Sequence, residues 1–172
     1  MSERLLRLMA SRWTRLVLVS LILLGLQTTL LNDMRPFTVM VPLMLLFAVT
    51  AGTLHGSEIG AISGLIIGMM YDCVLSTPLG LASLVFGAAA YAAGLLPFFI
   101  REPTWWMRAI TIGIVAAAGE LAFPLALSMV GFSGRFQSHV LVVVAFVAVV
   151  GMLVAPLLLP MCRWTLKESS VG

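Results

Sequence analysis

Charged residues are scarce in this chain, and that scarcity sets its class. Asp, Glu, Lys and Arg make up only 10% of the sequence, whereas 61% of the residues are hydrophobic. A typical soluble domain carries about 25% charged residues. At about 20 residues per transmembrane helix, six spans would use roughly 120 of the 172 residues and leave only short loops. The composition therefore predicts an all-α polytopic membrane protein and excludes a large extramembrane catalytic unit.

Cysteine is also sparse, and recognisable cofactor motifs are missing. Cys73 and Cys162 show no CxxC spacing and fall on opposite sides of the membrane in the topology predicted below, so neither a disulfide nor a metal site is expected. The sequence contains no phosphate-binding loop, no HExxH motif and no cluster of metal ligands. We therefore expect no metal and no cofactor. The net charge of +3 does not indicate nucleic-acid binding, because the basic residues lie at predicted membrane borders.

The carboxylates inside the predicted spans are the main candidates for catalysis. Asp72 follows Tyr71 at the end of a span, as in half of an intramembrane aspartyl protease, but that chemistry needs two carboxylates that share one proton. The other carboxylate predicted at membrane depth, Glu120, has no accompanying motif. Ser63 lies within a span, whereas both histidines fall in predicted turns, and a serine nucleophile needs its base within hydrogen-bonding reach. No catalytic residue is therefore predicted.

Six apolar segments separated by short turns define the predicted bundle. They cover residues 16–31, 37–51, 59–73, 79–100, 110–130 and 140–162. A basic amphipathic lead-in (1–15), which either acts simply as a positive-inside topology anchor or also touches anionic lipid headgroups, precedes the bundle (16–162), and a short tail (163–172) follows it. With both termini cytoplasmic, eight of the ten basic residues lie inside and only Arg35 and Arg135 lie outside, as the positive-inside rule requires. The second and third segments are short, so whether both cross the membrane fully stays open.

A glycine at every fourth position marks the third segment. These glycines are Gly60, Gly64 and Gly68, and the next step of four is Asp72. Two earlier members of the series, Gly52 and Gly56, are assigned to the preceding turn. A row without side chains allows a neighbouring helix to approach closely. That neighbour is either another helix of this chain or a helix of a partner protein, and the two are not exclusive.

Asp72 and Glu120 need an explanation at membrane depth, where a charge costs up to roughly 3 kcal/mol. Asp72 can pair with a polar group of a partner helix or line an outer pocket. Alternatively, it caps a turn near the outer interface by accepting hydrogen bonds from backbone N–H groups around Ser76 and Thr77. Glu120 lies well inside its span and either stays protonated or finds a hydrogen-bond partner within the bundle.

The order of these features forms a longer pattern. An Arg-Pro enters an apolar span, a short turn contains Gly and an acidic residue, the glycine row ends in Asp, and Pro-Leu-Gly opens a helix of small residues. The positions are Arg35, Pro36, Gly56, Glu58, Gly60, Gly64, Gly68, Asp72, Pro78, Leu79 and Gly80. In this pattern residues 35–95 resemble the core of the rod shape-determining MreD family. The chain departs from it at Phe37, where family members often carry an acidic residue.

The resemblance implies a non-enzymatic multi-pass protein of the bacterial cytoplasmic membrane that acts in cell-wall elongation. Its implied partners are MreC, a bitopic protein with an extracytoplasmic domain, and the synthase pair of RodA and a penicillin-binding protein. The expected helix-packing or partner interface lies on the third helix, near the centre of the bundle, and comprises Gly60, Gly64, Gly68, Asp72, Pro78 and Gly80.

The family is also similar in fold to the substrate-capturing component of energy-coupling-factor vitamin transporters. The alternative function is therefore a small-molecule binding component of such a transporter. A vitamin binder needs an outer cavity lined by aromatic and polar side chains.

Overall fold

The computed structural model describes residues 11–33, 41–74, 79–100, 102–129 and 140–166, and their side chains outside 30–33 and 140–141. Nearly all of these residues are helical, and none of them forms a strand. The helices are α1 (Arg12–Asp33), α2 (Leu43–His55), α3 (Ser57–Asp72), α4 (Leu81–Gly94), α5 (Leu96–Phe99), α6 (Trp105–Met129) and α7 (Val140–Leu166). Because α5 only extends α4 beyond Leu95, the architecture is the predicted bundle of six apolar helices.

Three of the helical segments are long and apolar enough to cross a membrane. They are Leu81–Phe99, Trp105–Met129 and Val142–Leu166. The helix α2 has only 13 residues and α3 only 16. At 1.5 Å per residue these helices are about 20 Å and 24 Å long, against a hydrocarbon core of about 30 Å. The second and third predicted segments, for which the sequence left a full crossing of the membrane open, thus correspond to the two short helices.

The helix bounds differ from the predicted spans at several borders. The helix α6 begins at Trp105, five residues before the start of the predicted span 110–130, and α7 continues past Cys162 to Leu166. The helix α2 begins at Leu43, six residues later than predicted, although residues 34–40 lie outside the described part of the chain. Pro78 lies outside it as well.

The central helix is α2, and not the glycine-lined α3 that the sequence suggested. All residues from 43 to 53 are buried, and α2 contacts α1, α3, α4, α6 and α7. A helix that is apolar on every face belongs inside such an assembly. Its two buried threonines need no outside partner, because Thr50 donates to the Leu46 carbonyl (2.7 Å) and Thr53 to the Thr50 carbonyl (2.9 Å).

Two glycines with positive φ make tight connections between the helices. Gly56 (φ 87°) is the single residue between α2 and α3, and Gly80 (φ 97°) immediately precedes α4. Other residues adopt such φ values only with strain. The short connection at Gly56 allows α3 to turn back along the central helix.

Candidate functional site: packed glycines and capped helix ends

The glycine row of α3 faces α4 of the same chain. A Cβ atom added at Gly64 would lie 2.5 Å from the carbonyl oxygen of Phe86, and one added at Gly68 would lie 2.7 Å from that of Ala82. Real Cβ atoms essentially never come within 3.0 Å of another heavy atom. The two backbones therefore touch along a line where α3 has no room for a side chain.

The glycine row of α3 also contacts the central helix α2. A Cβ atom at Gly60 would lie 2.5 Å from the Cα of Gly52 and 2.9 Å from the carbonyl oxygen of Ala90. At the far end of α4, a Cβ atom on Gly94 would run into the backbone of Ser57. Gly52 thus lies inside α2, and not in the turn where the spacing placed it. The neighbours of the glycine row are α2 and α4 of this chain, so a partner helix has no access to it.

Asp72 closes the other end of the contact between α3 and α4. Its Oδ2 atom accepts hydrogen bonds from the backbone N–H groups of Gly80 (2.9 Å) and Ser83 (3.0 Å), and Oδ1 accepts one from Ala82 (3.1 Å). The side chain is only 1% exposed. The first N–H groups of a helix have no partner within it, and the helix dipole favours a negative charge there. Asp72 of the neighbouring helix α3 therefore accepts hydrogen bonds from these N–H groups and places a negative charge at the N-terminus of α4.

A capping role for Asp72 was one of the two predicted alternatives, but its partners differ from those expected. Ser76 and Thr77, the predicted donors, lie outside the described residues, whereas the donors observed are Gly80, immediately before α4, and Ala82 and Ser83 in its first turn. The hydroxyl of Ser83 adds a second link between the helices, since it donates to the Leu65 carbonyl of α3 (2.9 Å). Of the predicted interface residues, Gly80 and Asp72 are therefore joined by a hydrogen bond.

Gln27 of α1 caps the central helix at the same end of the bundle. Its side-chain Oε1 accepts a hydrogen bond from the backbone N–H of Met44 (3.1 Å), in the first turn of α2. Gln27 is 8% exposed and Met44 is fully buried. Water cannot replace this bond in an apolar interior, so the cap satisfies a backbone donor that would otherwise remain unpaired.

Arginines occupy the opposite helix ends. The Nη1 atom of Arg108 in α6 donates to the Thr53 carbonyl in the last turn of α2 (3.2 Å), and its Nε donates to the Pro103 carbonyl (3.3 Å). Arg15 of α1 donates to the Trp164 carbonyl near the end of α7 (3.3 Å). Cations are favourable at helix C-termini because the last carbonyls are unpaired and carry partial negative charge. Each of these helix ends is therefore capped by a side chain from a different helix.

Glu120 lies in α6 near a second polar group. It is one turn beyond Ala116 and Ala117, which are buried, and is itself partly buried. This group is Tyr71 of α3, which lies close enough to both Glu120 and Asp72 for their charges to act on it. The Glu120 carboxylate accepts no hydrogen bond from another described residue, so the structure does not supply the partner that the sequence called for.

The described residues contain no group of three or more His, Cys, Asp or Glu side chains that could hold a metal ion. Within the same ranges, Cys73 is exposed at the end of α3, and Cys162 is buried in α7. Ser63, considered above as a nucleophile, has a buried hydroxyl without a hydrogen-bond partner among the described residues. These side chains form no constellation for chemistry in the part of the chain that the structure describes.

Sequence reasoning missed the caps supplied by Gln27, Arg108 and Arg15. A signal was present for Gln27, which is the first of three consecutive polar residues after the apolar run 21–26 of α1. The arginines were assigned to the membrane border by their charge alone. Which helix end each of them reaches depends on how the helices are arranged, and a single sequence does not contain that information.

A family model described as rod shape-determining protein MreD matches residues 9–167, which is all of the chain except its first eight and last five residues. The match extends well beyond the segment 35–95 that carries the sequence pattern. No curated protein and no solved structure matches the chain significantly.

Proposed function

This chain belongs to the MreD family of rod shape-determining proteins, and we propose that it is a non-enzymatic membrane scaffold that binds the helix of an MreC-like bitopic partner. By holding that partner it positions the peptidoglycan synthase, the pair of RodA and a penicillin-binding protein, during cell-wall elongation. The family match supports a role in determining rod shape. The choice of a scaffold is supported by the tight contact between α3 and α4.

A scaffold needs a fixed shape, and two features of this bundle favour one. Helix backbones in direct contact cannot rotate against each other without a steric clash. The Asp72 carboxylate ties α3 to the first turn of α4 through three hydrogen bonds. We therefore propose that α3 and α4 move as one unit and present a constant outer surface to a partner.

The partner helix must use an outward face, because the glycine row is occupied from within the chain. We propose the exposed row of Leu84, Ala88 and Ala92 on α4, with Tyr91 beside it. These residues repeat every four positions, as the glycines of α3 do. Two small residues at this spacing allow a second helix to approach closely in a membrane, and the flanking Leu84 (68% exposed) and Tyr91 (48% exposed) offer apolar contact area.

Recovery of a tagged MreC-like partner after detergent extraction tests this surface. Ala88→Leu places a bulky side chain at the proposed contact, and we expect it to reduce co-purification of the partner. Ala145→Leu is the matched control, because Ala145 is an exposed alanine on α7. Equal recovery with both variants would exclude this face of α4. Failure of the wild-type chain to recover any such partner would count against the scaffold itself.

Mass spectrometry of the purified chain separates the scaffold from the vitamin-binding alternative. A scaffold is expected to elute with its partner and with lipids. A stoichiometric small molecule of vitamin size, retained through purification, would favour the transporter component instead.

The proposed location is the bacterial cytoplasmic membrane with both termini in the cytoplasm. This orientation places the end of α3 outside, where Cys73 is exposed. A membrane-impermeant maleimide added to cells with a permeabilised outer membrane should label Cys73, whereas the buried Cys162 should give little background. Labelling only after the inner membrane is disrupted would reverse the orientation.

A further inference from the structure

Tyr91 of α4 places a hydroxyl group near the middle of the membrane. The helices α4 and α5 form one candidate span, Leu81–Phe99, in which Tyr91 lies ten residues from one end and eight from the other. At 1.5 Å per residue these separations are about 15 Å and 12 Å, within a hydrocarbon core of about 30 Å. Tyrosines of membrane proteins are enriched at the two interfaces, where the hydroxyl meets water. A tyrosine side chain is much shorter than either separation, so the Tyr91 hydroxyl stays inside the hydrocarbon.

The Tyr91 hydroxyl has no hydrogen-bond partner in the described part of the chain. Its side chain is 48% exposed, and the hydroxyl makes no bond to a described residue. The other exposed residues of this row, Leu84, Ala88 and Ala92, have no side-chain acceptor. Placing a hydroxyl in hydrocarbon without a hydrogen bond is unfavourable. An acceptor from outside this chain would remove that cost.

The threonines of the other spans show why Tyr91 differs from them. Thr50, Thr111 and Thr165 each donate to the carbonyl four residues earlier in their own helix. A threonine hydroxyl lies close to its own backbone and can make this bond. A tyrosine hydroxyl lies at the far end of a rigid ring that points away from the helix. Tyr91 therefore depends on whatever packs against its outward face.

Three kinds of neighbour could cover this face of α4, and they differ in the acceptors they offer. Acyl chains have none at mid-membrane depth. A second copy of this chain, packed face to face, would bring its own Tyr91 as the polar group of the row. Two hydroxyls share one hydrogen bond and leave one proton unpaired. A helix of another protein has no such restriction.

We infer that the helix which packs on this face carries a polar side chain in the middle of its own span, and that this side chain accepts a hydrogen bond from the Tyr91 hydroxyl. Serine, threonine, asparagine and glutamine supply such acceptors between membrane helices. The small side chains of Ala88 and Ala92 let the partner backbone come close enough to reach the ring. The inference rests on the function proposed above, and it adds which kind of bitopic helix fits and at what depth.

The substitution Tyr91→Phe tests the hydrogen bond alone, because it removes the hydroxyl and keeps the ring. Binding of the MreC-like partner is measured by energy transfer between the two labelled full-length proteins in liposomes. Hydrogen bonds between membrane helices lead us to expect binding weaker by about threefold to fifteenfold. Unfolding of the purified Tyr91→Phe chain by SDS should match the wild type, because no described residue bonds to this hydroxyl.

The matched control is Ser128→Ala, which removes an exposed hydroxyl of α6 that already donates to the Leu125 carbonyl of its own helix. It should leave partner binding unchanged. Replacing the central polar residue of the partner by alanine should weaken binding as much as Tyr91→Phe does. Combining both changes should cause no further loss.

The inference and the proposed function fail in different ways. Wild-type binding by Tyr91→Phe, together with loss of binding by Ala88→Leu, would overturn the hydrogen bond and keep the surface. Wild-type binding by both variants would overturn the surface as well. A partner span without a polar side chain in its two central turns would overturn the inference, and so would a lower SDS stability of Tyr91→Phe. Energy transfer between two labelled copies of this chain that Tyr91→Phe reduces would assign the contact to a second copy instead.

Discussion

Replacing Gly64 by alanine is the sharpest test of the contact between α3 and α4. The new Cβ atom would lie 2.5 Å from the carbonyl oxygen of Phe86 and 2.9 Å from the Cα of Gly87. Both are backbone atoms, so neither can move aside by rotating a side chain. To reach an ordinary contact near 3.4 Å, the helices must separate by about 0.9 Å at this point.

Two opposing effects decide the size of the change at Gly64. Alanine is favoured over glycine inside a helix by about 1 kcal/mol, and overpacking typically costs about 1–3 kcal/mol. Separation at one glycine also strains the neighbouring contacts of the row, because backbone atoms are involved throughout. The difference between these two effects is a loss of up to about 2 kcal/mol in the free energy of unfolding, and the strain in the neighbouring contacts adds to that loss.

Gly25 of α1 provides the matched control. No atom lies within 4 Å of a Cβ added there, so Gly25→Ala should be neutral or stabilising by up to about 1 kcal/mol. Both variants can be unfolded by SDS in mixed micelles, with the transition followed by tryptophan fluorescence. If Gly64→Ala unfolded at the same SDS fraction as Gly25→Ala, the account of the row as a backbone contact would be refuted.

The caps lead to three further predictions, all measured by the same SDS titration. Asp72→Asn should cost about 1–3 kcal/mol and Asp72→Leu more, because leucine leaves all three N–H groups unpaired; equal losses would mean that charge alone matters. Gln27→Leu should cost about 1–3 kcal/mol by leaving the Met44 N–H unpaired, and an unchanged transition would show that the cap is unimportant. Arg108→Lys should retain part of the stability that Arg108→Gln loses, since a cation still faces the end of α2; a lysine variant as unstable as the glutamine variant would contradict this.

The sequence was sufficient for the fold class, because composition and the spacing of apolar segments follow directly from the requirements of the membrane. It also identified the glycine row, since spacing by four is a local property of one helix. It did not identify α2 as the central helix. Burial on every side depends on which helices surround a segment, and residues 43–53 are not distinguishable by apolarity from the lipid-facing segments.

The polar residues were only partly predictable, for a related reason. Asp72 was recognised as a possible cap, but its donors lie in Gly80 and the first turn of α4, eight to eleven residues further along the chain. The partners of Arg108 and Gln27 lie still further away in sequence, 55 and 17 residues respectively. A side chain that caps its own helix can be read from a local pattern. A side chain that caps another helix cannot be recognised from such a local pattern.

The shortness of α2 explains why these long-range caps exist. A helix of 13 residues is about 10 Å shorter than the hydrocarbon core, so at least one of its ends lies below the membrane surface. There the unpaired N–H and C=O groups cannot turn to water and must find partners in the protein. Gln27 meets the first turn of α2 and Arg108 meets its last turn. The caps supplied by Gln27 and Arg108 are thus the condition under which a short central helix can be buried. The glycine row is the condition under which α3 and α4 can pack closely enough around it.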